Sequence, residues 1–426
     1  MYPKLLVADS KNRIFDLDNV AAAGMKALDF YPLSPGELIP LPYASELFTL
    51  PDRIAVGFVG AARRAAPTPI THFNGSKCFP VAAFVSPGYT AVYSAAYKQT
   101  KESKLLPLFS YAAVCWYKGR LYTAAVRVDY ERRQDLRLMD TKLMRVNIAK
   151  FKKLFPKNRL IEHLSVCASV YGCPAGTNFF LKRYECPLPA SPSCNSTCIG
   201  CITTKHSKTC PQVQPRIKFV PTPHEIAEVA LYHIEAVKKP VVSFGQGCEG
   251  EPLMVSNVLE EAIKLIRSRT KKGIINLNTN ASKPKNIYRL RKAGLDSIRV
   301  SVNSIRKKYY DIYYKPRDYS FRDVVSSINT MKKSGGFVSI NYLVMPGFTD
   351  QKEEIAGLFN FIKSTKIDMI QWRNLNYDPV DYFRKMKIGV GAYCNTPLRR
   401  GIRQLIEQTK RRFPKLRHGY FNPSEI

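Results

Sequence analysis

From Tyr184 to Trp372 the chain alternates short, Val- and Ile-rich runs with amphipathic segments, and this alternation constrains the fold more than any other feature. The runs are Tyr184 to Leu188, Pro240 to Phe244, Gly273 to Asn278, Ser297 to Val302, Phe337 to Val344 and Ile367 to Trp372. Short apolar runs of this kind suit parallel strands buried on both faces. Between them, Ile226, Ala230, Ile234 and Val237 recur at helical spacing after Thr222-Pro223-His224-Glu225, a capping box with Pro at the first helical position. Similar stripes run through Leu259, Ala262, Ile263 and Ile266, and through Phe321, Val324, Val325, Ile328 and Met331, each stopped by a glycine. Six strands with intervening helices predict a parallel β/α array. Periodicity leaves open whether it closes. In such arrays ligands sit at the C-terminal ends of the strands.

The loop after the first strand carries Cys194, Cys198 and Cys201 in a C-x3-C-x2-C spacing. Three thiolates on a short loop suit an iron–sulfur cubane with one iron left open. They also suit a zinc site with Cys210 as fourth ligand, which would make the chain a zinc-stabilised nucleic-acid-binding protein without catalysis. After the second strand come Gly250-Glu251-Pro252, after the third Asn278 and Asn280, after the fourth Ser301 and Asn303, and after the fifth Pro346-Gly347. Asn offers both donor and acceptor, and residues two apart on a strand face one side.

The cysteine spacing and the Gly-Glu-Pro turn resemble the radical S-adenosylmethionine (radical SAM) superfamily. The resemblance covers roughly residues 184–374 and departs at Glu249, where the family has glycine, and at Gly200, where it has an aromatic residue. It implies an α/β fold: a six-stranded partial (β/α)6 TIM-like barrel, here with an N-terminal mixed, mostly β accessory domain. It further implies a [4Fe-4S] cluster on Cys194, Cys198 and Cys201, and S-adenosyl-L-methionine as second cofactor. Gly250, Glu251 and Pro252 are expected at its methionyl ammonium, Asn278, Asn280, Ser301 and Asn303 at ribose or carboxylate, and Pro346 and Gly347 at adenine. The expected activity is reductive cleavage to a 5′-deoxyadenosyl radical that abstracts hydrogen from a substrate, with a one-electron donor of flavodoxin or ferredoxin type as partner.

The predicted organisation is an accessory domain over 1–145, a helical bridge over 146–183, the radical SAM core over 184–374 and a helical extension over 375–426. In the first segment a hairpin turns at Lys118-Gly119, and in the last a helix starts at Thr396-Pro397. Cys167, Cys173 and Cys186, with His163, form a second candidate metal set. Cys248 is either a hydrogen-atom donor to a substrate radical or a packed thiol. Eleven cysteines without an N-terminal apolar h-region suggest reduced thiols and a cytoplasmic protein, and no run of about 18 apolar residues marks a membrane span. Lys and Arg number 66 against 33 Asp and Glu, a net +33 that favours polyanionic partners. The candidate substrates are RNA, on charge, and a peptide, on the large accessory domain. Phe151 and Phe155 beside Lys152, Lys153 and Lys157 are the first candidate RNA contacts.

Overall fold

The computed structural model describes residues 2–60, 66–389 and 401–426. The helix start expected at Thr396-Pro397, and Cys394, lie outside the described residues. The alternating half of the chain forms one parallel sheet whose strands follow chain order: Glu185–Pro187, Val241–Phe244, Ile274–Thr279, Ser297–Val302, Phe337–Val344 and Met369–Asn374. A seventh strand, Arg417–Gly419, pairs parallel with the sixth. It adds one strand to the expected six, and it makes the C-terminal extension more than helical. Three residues without a Val or Ile carry no strand signal of their own, so the neighbouring edge alone defines this strand. The outermost strands are not paired with each other among the described residues, so the barrel is partial.

The helices, in chain order, are α1 (Thr141–Leu154), α2 (Arg159–Ser169), α3 (Pro174–Phe180), α4 (Pro223–Ala236), α5 (Ser256–Arg269), α6 (Pro284–Ala293), α7 (Lys307–Tyr314), α8 (Phe321–Lys333), α9 (Lys352–Thr365), α10 (Pro379–Met386) and α11 (Ile402–Arg412). The capping box at Thr222 and Glu225 forms, with Pro223 in the first turn of α4. None of the helices is long and apolar enough to cross a membrane among the described residues. In α1, Phe151 is buried, its ring meeting Phe179 and Tyr232 edge-on at 5.0 Å each. Phe155 packs edge-on against Tyr232, and Lys152 pairs with Glu162 at 2.7 Å. Phe151 is core and Phe155 half-buried at its edge, so the expected base-stacking role is withdrawn for Phe151.

Inside the barrel a polar layer replaces the usual apolar one. Asn422, from the C-terminal tail, donates to Glu185 at 2.9 Å and to Asn278 at 3.3 Å and accepts from Gln371 at 3.2 Å. Arg299 donates to Gln371 at 3.3 Å. The tail therefore ties the third and sixth strands to the first, across the gap that the missing strand pairing leaves.

Among the described residues of the N-terminal part, those from 4 to 127 form an antiparallel sheet of 14 strands. The hairpin turns at Lys118 and Gly119, both with positive φ, and registers Tyr117 on Arg120. This sheet lies across the strand ends of the barrel. Thr90 Oγ1 donates to the Trp372 carbonyl at 2.6 Å, and the Asn374 side chain bonds Ala91 and Tyr89 at 2.8 and 3.0 Å. Deeper in, Arg53 donates to Asp378 at 3.0 Å with both side chains almost fully buried, and Tyr97 donates to the same carboxylate at 2.9 Å. Removing one member of a buried pair strands the other charge. Arg53→Ala is therefore expected to cost about 3–5 kcal/mol in chemical denaturation; a loss under ~1 kcal/mol would mean the pair is hydrated in solution.

Candidate functional site

The cysteine loop leaves the first strand and is clamped along both sides by backbone bonds. On one side Gly250 N–H donates to the Ser191 carbonyl at 2.7 Å and Glu251 N–H to the Ser193 carbonyl at 2.8 Å. On the other, Thr197 and Ile199 N–H donate to the carbonyls of Tyr314 and Tyr313 at 3.1 and 3.0 Å, and Arg317 N–H to that of Asn195 at 2.9 Å. A Cβ on Gly250 would stand 2.0 Å from the Ser193 oxygen, so only glycine lets the two loops approach this closely. Gly250→Ala should push the loops apart. A drop in iron content to below about half that of the wild type is expected by colorimetric assay, since the cluster needs its thiolates placed.

Glu249, which departs from the family pattern, has a structural explanation. Its buried carboxylate accepts four backbone N–H bonds: from Gly245 and Gln246 at 2.7 Å each, and from Ala190 and Ser191 at 2.8 and 3.0 Å. It staples the exit of the first strand to the exit of the second. Burial pushes its carboxyl up to about 7 against the pull of these donors.

Glu251 is likewise buried, and burial pushes its carboxyl up to about 7. It accepts from Asn280 N–H at 2.8 Å, from Thr279 Oγ1 at 2.5 Å and from Leu253 N–H at 3.1 Å. Asn280 in turn donates to Asn195 at 2.8 Å and to Ser196 at 3.2 Å. Cys194, Cys198, Cys201, Gly250, Glu251 and Asn280 thus belong to one connected group at the ends of the first three strands. Pro252 is buried at the start of a short 3-10 turn beside them.

The remaining expected residues lie elsewhere on this face. Asn278 is held by Asn276, Gly245 and Asn422 in the polar layer. Ser301 is part-exposed on the fourth strand. Asn303 donates to Tyr382 at 3.4 Å, while its Oδ1 is buried without a partner, as is Asn341 Oδ1 on the fifth strand. Buried polar atoms are seldom left unpaired without a ligand or water to meet them. Pro346 and Gly347 pack under the N-terminal sheet: Ala27 N–H donates to the Pro346 carbonyl at 3.2 Å, and a Cβ on Gly347 would meet Ala27 at 1.9 Å.

Burial raises the Cys194 thiol to about 11 and the Cys198 thiol far above its usual range, with neighbouring Glu251 and the other loop thiols adding repulsion. At Cys201 burial is outweighed by hydrogen bonds from Thr203 and Thr204 and by Arg216, whose guanidinium lies 3.9 Å from the sulfur. Arg216 was not legible in the sequence, where it is one basic residue among 66. Nor was Tyr313 of α7. Gly200 leaves a space into which the Tyr313 hydroxyl fits, 2.6 Å from where a Cβ would stand. An aromatic ring thus reaches the cysteine loop from a different element than the one the family pattern uses.

Three thiols and a buried carboxylate, with Arg216 and Lys283 as the cations that act on them, form a donor set that suits a positively charged centre. Among the described residues, the group of three metal-ligating side chains with ligand atoms within 4.8 Å of one another is His163, Cys167 and Cys248, not the cysteine loop. A single zinc ion about 2.3 Å from each thiolate requires such closeness. The wider loop suits a multinuclear cluster, and Cys210 makes no ligand group with it.

Residues 188–359 match the family model described as the Radical SAM superfamily. A comparison with curated proteins yields no match. Among solved structures, anSMEcpe with bound AdoMet is similar at 17% identity and a TM-score of 0.36, with 45% of this chain and 52% of that one covered. SuiB of Streptococcus suis bound to its precursor peptide SuiA is similar at 16% identity and a TM-score of 0.36, covering 65% and 64%. HydG, a maturase of the FeFe-hydrogenase, is similar at 15% identity and a TM-score of 0.35, covering 60% and 61%. The chain spans about half the length of the first two structures it matches. The match to the family model falls on the segment that carries the cysteine loop, the Gly-Glu-Pro turn and the second to fifth strands of the parallel sheet, so residues 188–359 of this chain are similar to the radical SAM superfamily.

Proposed function

We propose that the chain is a radical SAM enzyme in which Cys194, Cys198 and Cys201 hold a [4Fe-4S] cluster and the adjoining Gly250-Glu251 turn and Asn280 receive S-adenosylmethionine. When bound, these cofactors supply a 5′-deoxyadenosyl radical able to take hydrogen from a substrate. The observation that carries the reading is the cysteine loop clamped by the Gly250 and Glu251 backbone, with the buried Glu251 carboxylate beside it at the C-terminal ends of the parallel strands. Glu251 and Asn280 place negative charge and amide groups where an ammonium and a carboxylate can be met. Ser301, Asn341 and Leu343 are part-exposed on the fourth and fifth strands, where the unpartnered Asn341 Oδ1 can meet a ligand group. The N-terminal sheet, lying over the ends of the fifth and sixth strands, limits water on the side where a substrate enters.

Anaerobic reconstitution followed by metal analysis and incubation with S-adenosylmethionine and dithionite tests the reading. About four irons per chain, the content of a cubane, together with 5′-deoxyadenosine and methionine, are expected. A protein that binds iron yet forms no 5′-deoxyadenosine would overturn it. For the substrate, the net +33 favours RNA. Affinity for bulk cellular RNA should then fall linearly on a log–log salt plot, by about 0.7 per phosphate neutralised on single strands. No measurable binding at physiological salt would remove RNA in favour of a peptide.

A further inference from the structure

A second cluster of metal-binding side chains lies away from the cysteine loop. His163 and Cys167 stand one turn apart on α2 and so share a face of that helix. Facing them is Cys248, on the loop that leaves the second barrel strand. The His163 ring nitrogen, Cys167 sulfur and Cys248 sulfur all lie within 4.8 Å of one another. Cys167 and Cys248 are each only 3% exposed, and His163 Nε2 is 3.5 Å from Cys167 Sγ. Cys173 follows on the turn between α2 and α3. Its N–H donates to the Cys167 carbonyl at 3.0 Å, and its side chain makes no capping bond to α3 although it occupies the cap position. Cys173 also lies within electrostatic range of both Cys167 and Cys248. Cys186, buried on the first strand with its thiol aimed at the Pro187 carbonyl, takes no part.

The distances discriminate among metals. Around a tetrahedral zinc ion, with Zn–S about 2.3 Å and Zn–N about 2.0–2.1 Å, two sulfurs stand about 3.8 Å apart and a sulfur and a nitrogen about 3.5 Å. The observed group meets those spacings with little movement. Thiolate and imidazole are the ligands zinc prefers, and burial of the two sulfurs suits a closed structural site. We propose that His163, Cys167 and Cys248 form a structural zinc site that ties α2 to the loop carrying Glu249, Gly250 and Glu251; Cys173 stands outside this close group and completes the site only after a side-chain rotation. Binding releases the thiol protons and involves no electron transfer. The site fixes from behind the turn whose front edge holds the cysteine loop. The Cys248 carbonyl, which accepts from Ile217 N–H at 2.8 Å, extends that bracing to the segment after the cysteine motif. The same contacts remove Cys248 as a hydrogen-atom donor to substrate, because its thiol faces α2.

The test uses the full chain with the cysteine loop disabled by Cys194→Ser, Cys198→Ser and Cys201→Ser, so that metal in the two places is counted separately. After incubation with zinc alone and desalting, this triple variant should retain about one zinc and essentially no iron. Its zinc absorption edge should show sulfur neighbours at about 2.3 Å and nitrogen at about 2.0 Å. Adding Cys167→Ser or Cys248→Ser should lower zinc at least tenfold, whereas adding Cys186→Ser should not. Should the triple variant precipitate, the zinc difference between the wild type and Cys248→Ser decides instead. Absence of zinc, zinc undiminished by both Cys167→Ser and Cys248→Ser, or labile sulfide with iron in the triple variant would each overturn the proposal. None of these outcomes bears on the radical SAM reading, which is judged on wild-type iron and 5′-deoxyadenosine.

Discussion

Changing any one of Cys194, Cys198 and Cys201 to Ala is expected to bring cluster iron to under about a tenth of the wild-type content, because a cubane held at two points does not persist. The loop should survive the change. Its shape is set by backbone bonds to Gly250, Glu251, Tyr313, Tyr314 and Arg317 rather than by the sulfurs, so the variants should stay folded and elute as the wild type does. Cys78 and Cys115, both buried in the N-terminal sheet, serve as controls, and their replacement should leave iron unchanged. Full iron in Cys198→Ala would sink the assignment of the loop. The three positions should also behave alike. A graded series would show that the three positions are not equivalent, the Cys201 sulfur being the one with the Arg216 guanidinium 3.9 Å away.

The second large effect is expected at Glu251. Its carboxylate accepts three bonds from buried donors on the third strand end and the short turn after it. Glu251→Ala leaves those donors unpaired, at about 1–3 kcal/mol for each buried group stranded, and also removes the negative charge proposed to meet an ammonium. Glu251→Gln separates the two consequences, since it keeps the volume and one acceptor oxygen. It should hold cluster iron and lose at least ~100-fold in 5′-deoxyadenosine formation, the scale seen when one charge-stabilising group is removed from an active site. Retained product formation in Glu251→Gln, with a lowered denaturation midpoint in Glu251→Ala, would make this residue a brace and nothing more. Glu249 provides the contrast. Glu249→Ala removes the acceptor of four backbone N–H groups and should cost at least about 3 kcal/mol by chemical denaturation.

Local signals in the chain were enough for the parallel core. A short strand buried on both faces must be apolar throughout, and a helix covering it must show a stripe, so each announces itself within ten to fifteen residues. The same holds for the cysteine loop and for Gly250, whose chemistry depends on residue type and close spacing. The 14-stranded sheet left little more than one hairpin legible, because its strands pair with partners far away in the chain and take their pattern from those partners. Only the tertiary structure could assign Glu249 its four backbone donors, bring Tyr313 to Gly200 and Arg216 to Cys201, and enclose Phe151 among aromatic rings. It also separated the remaining cysteines: Cys248 joins His163 and Cys167 across two distant elements, while Cys186 stays apart. Sequence determines which groups a chain has and how neighbours within one turn or one strand are spaced. Which groups from remote segments meet depends on how the elements pack, and a single sequence carries no local trace of that.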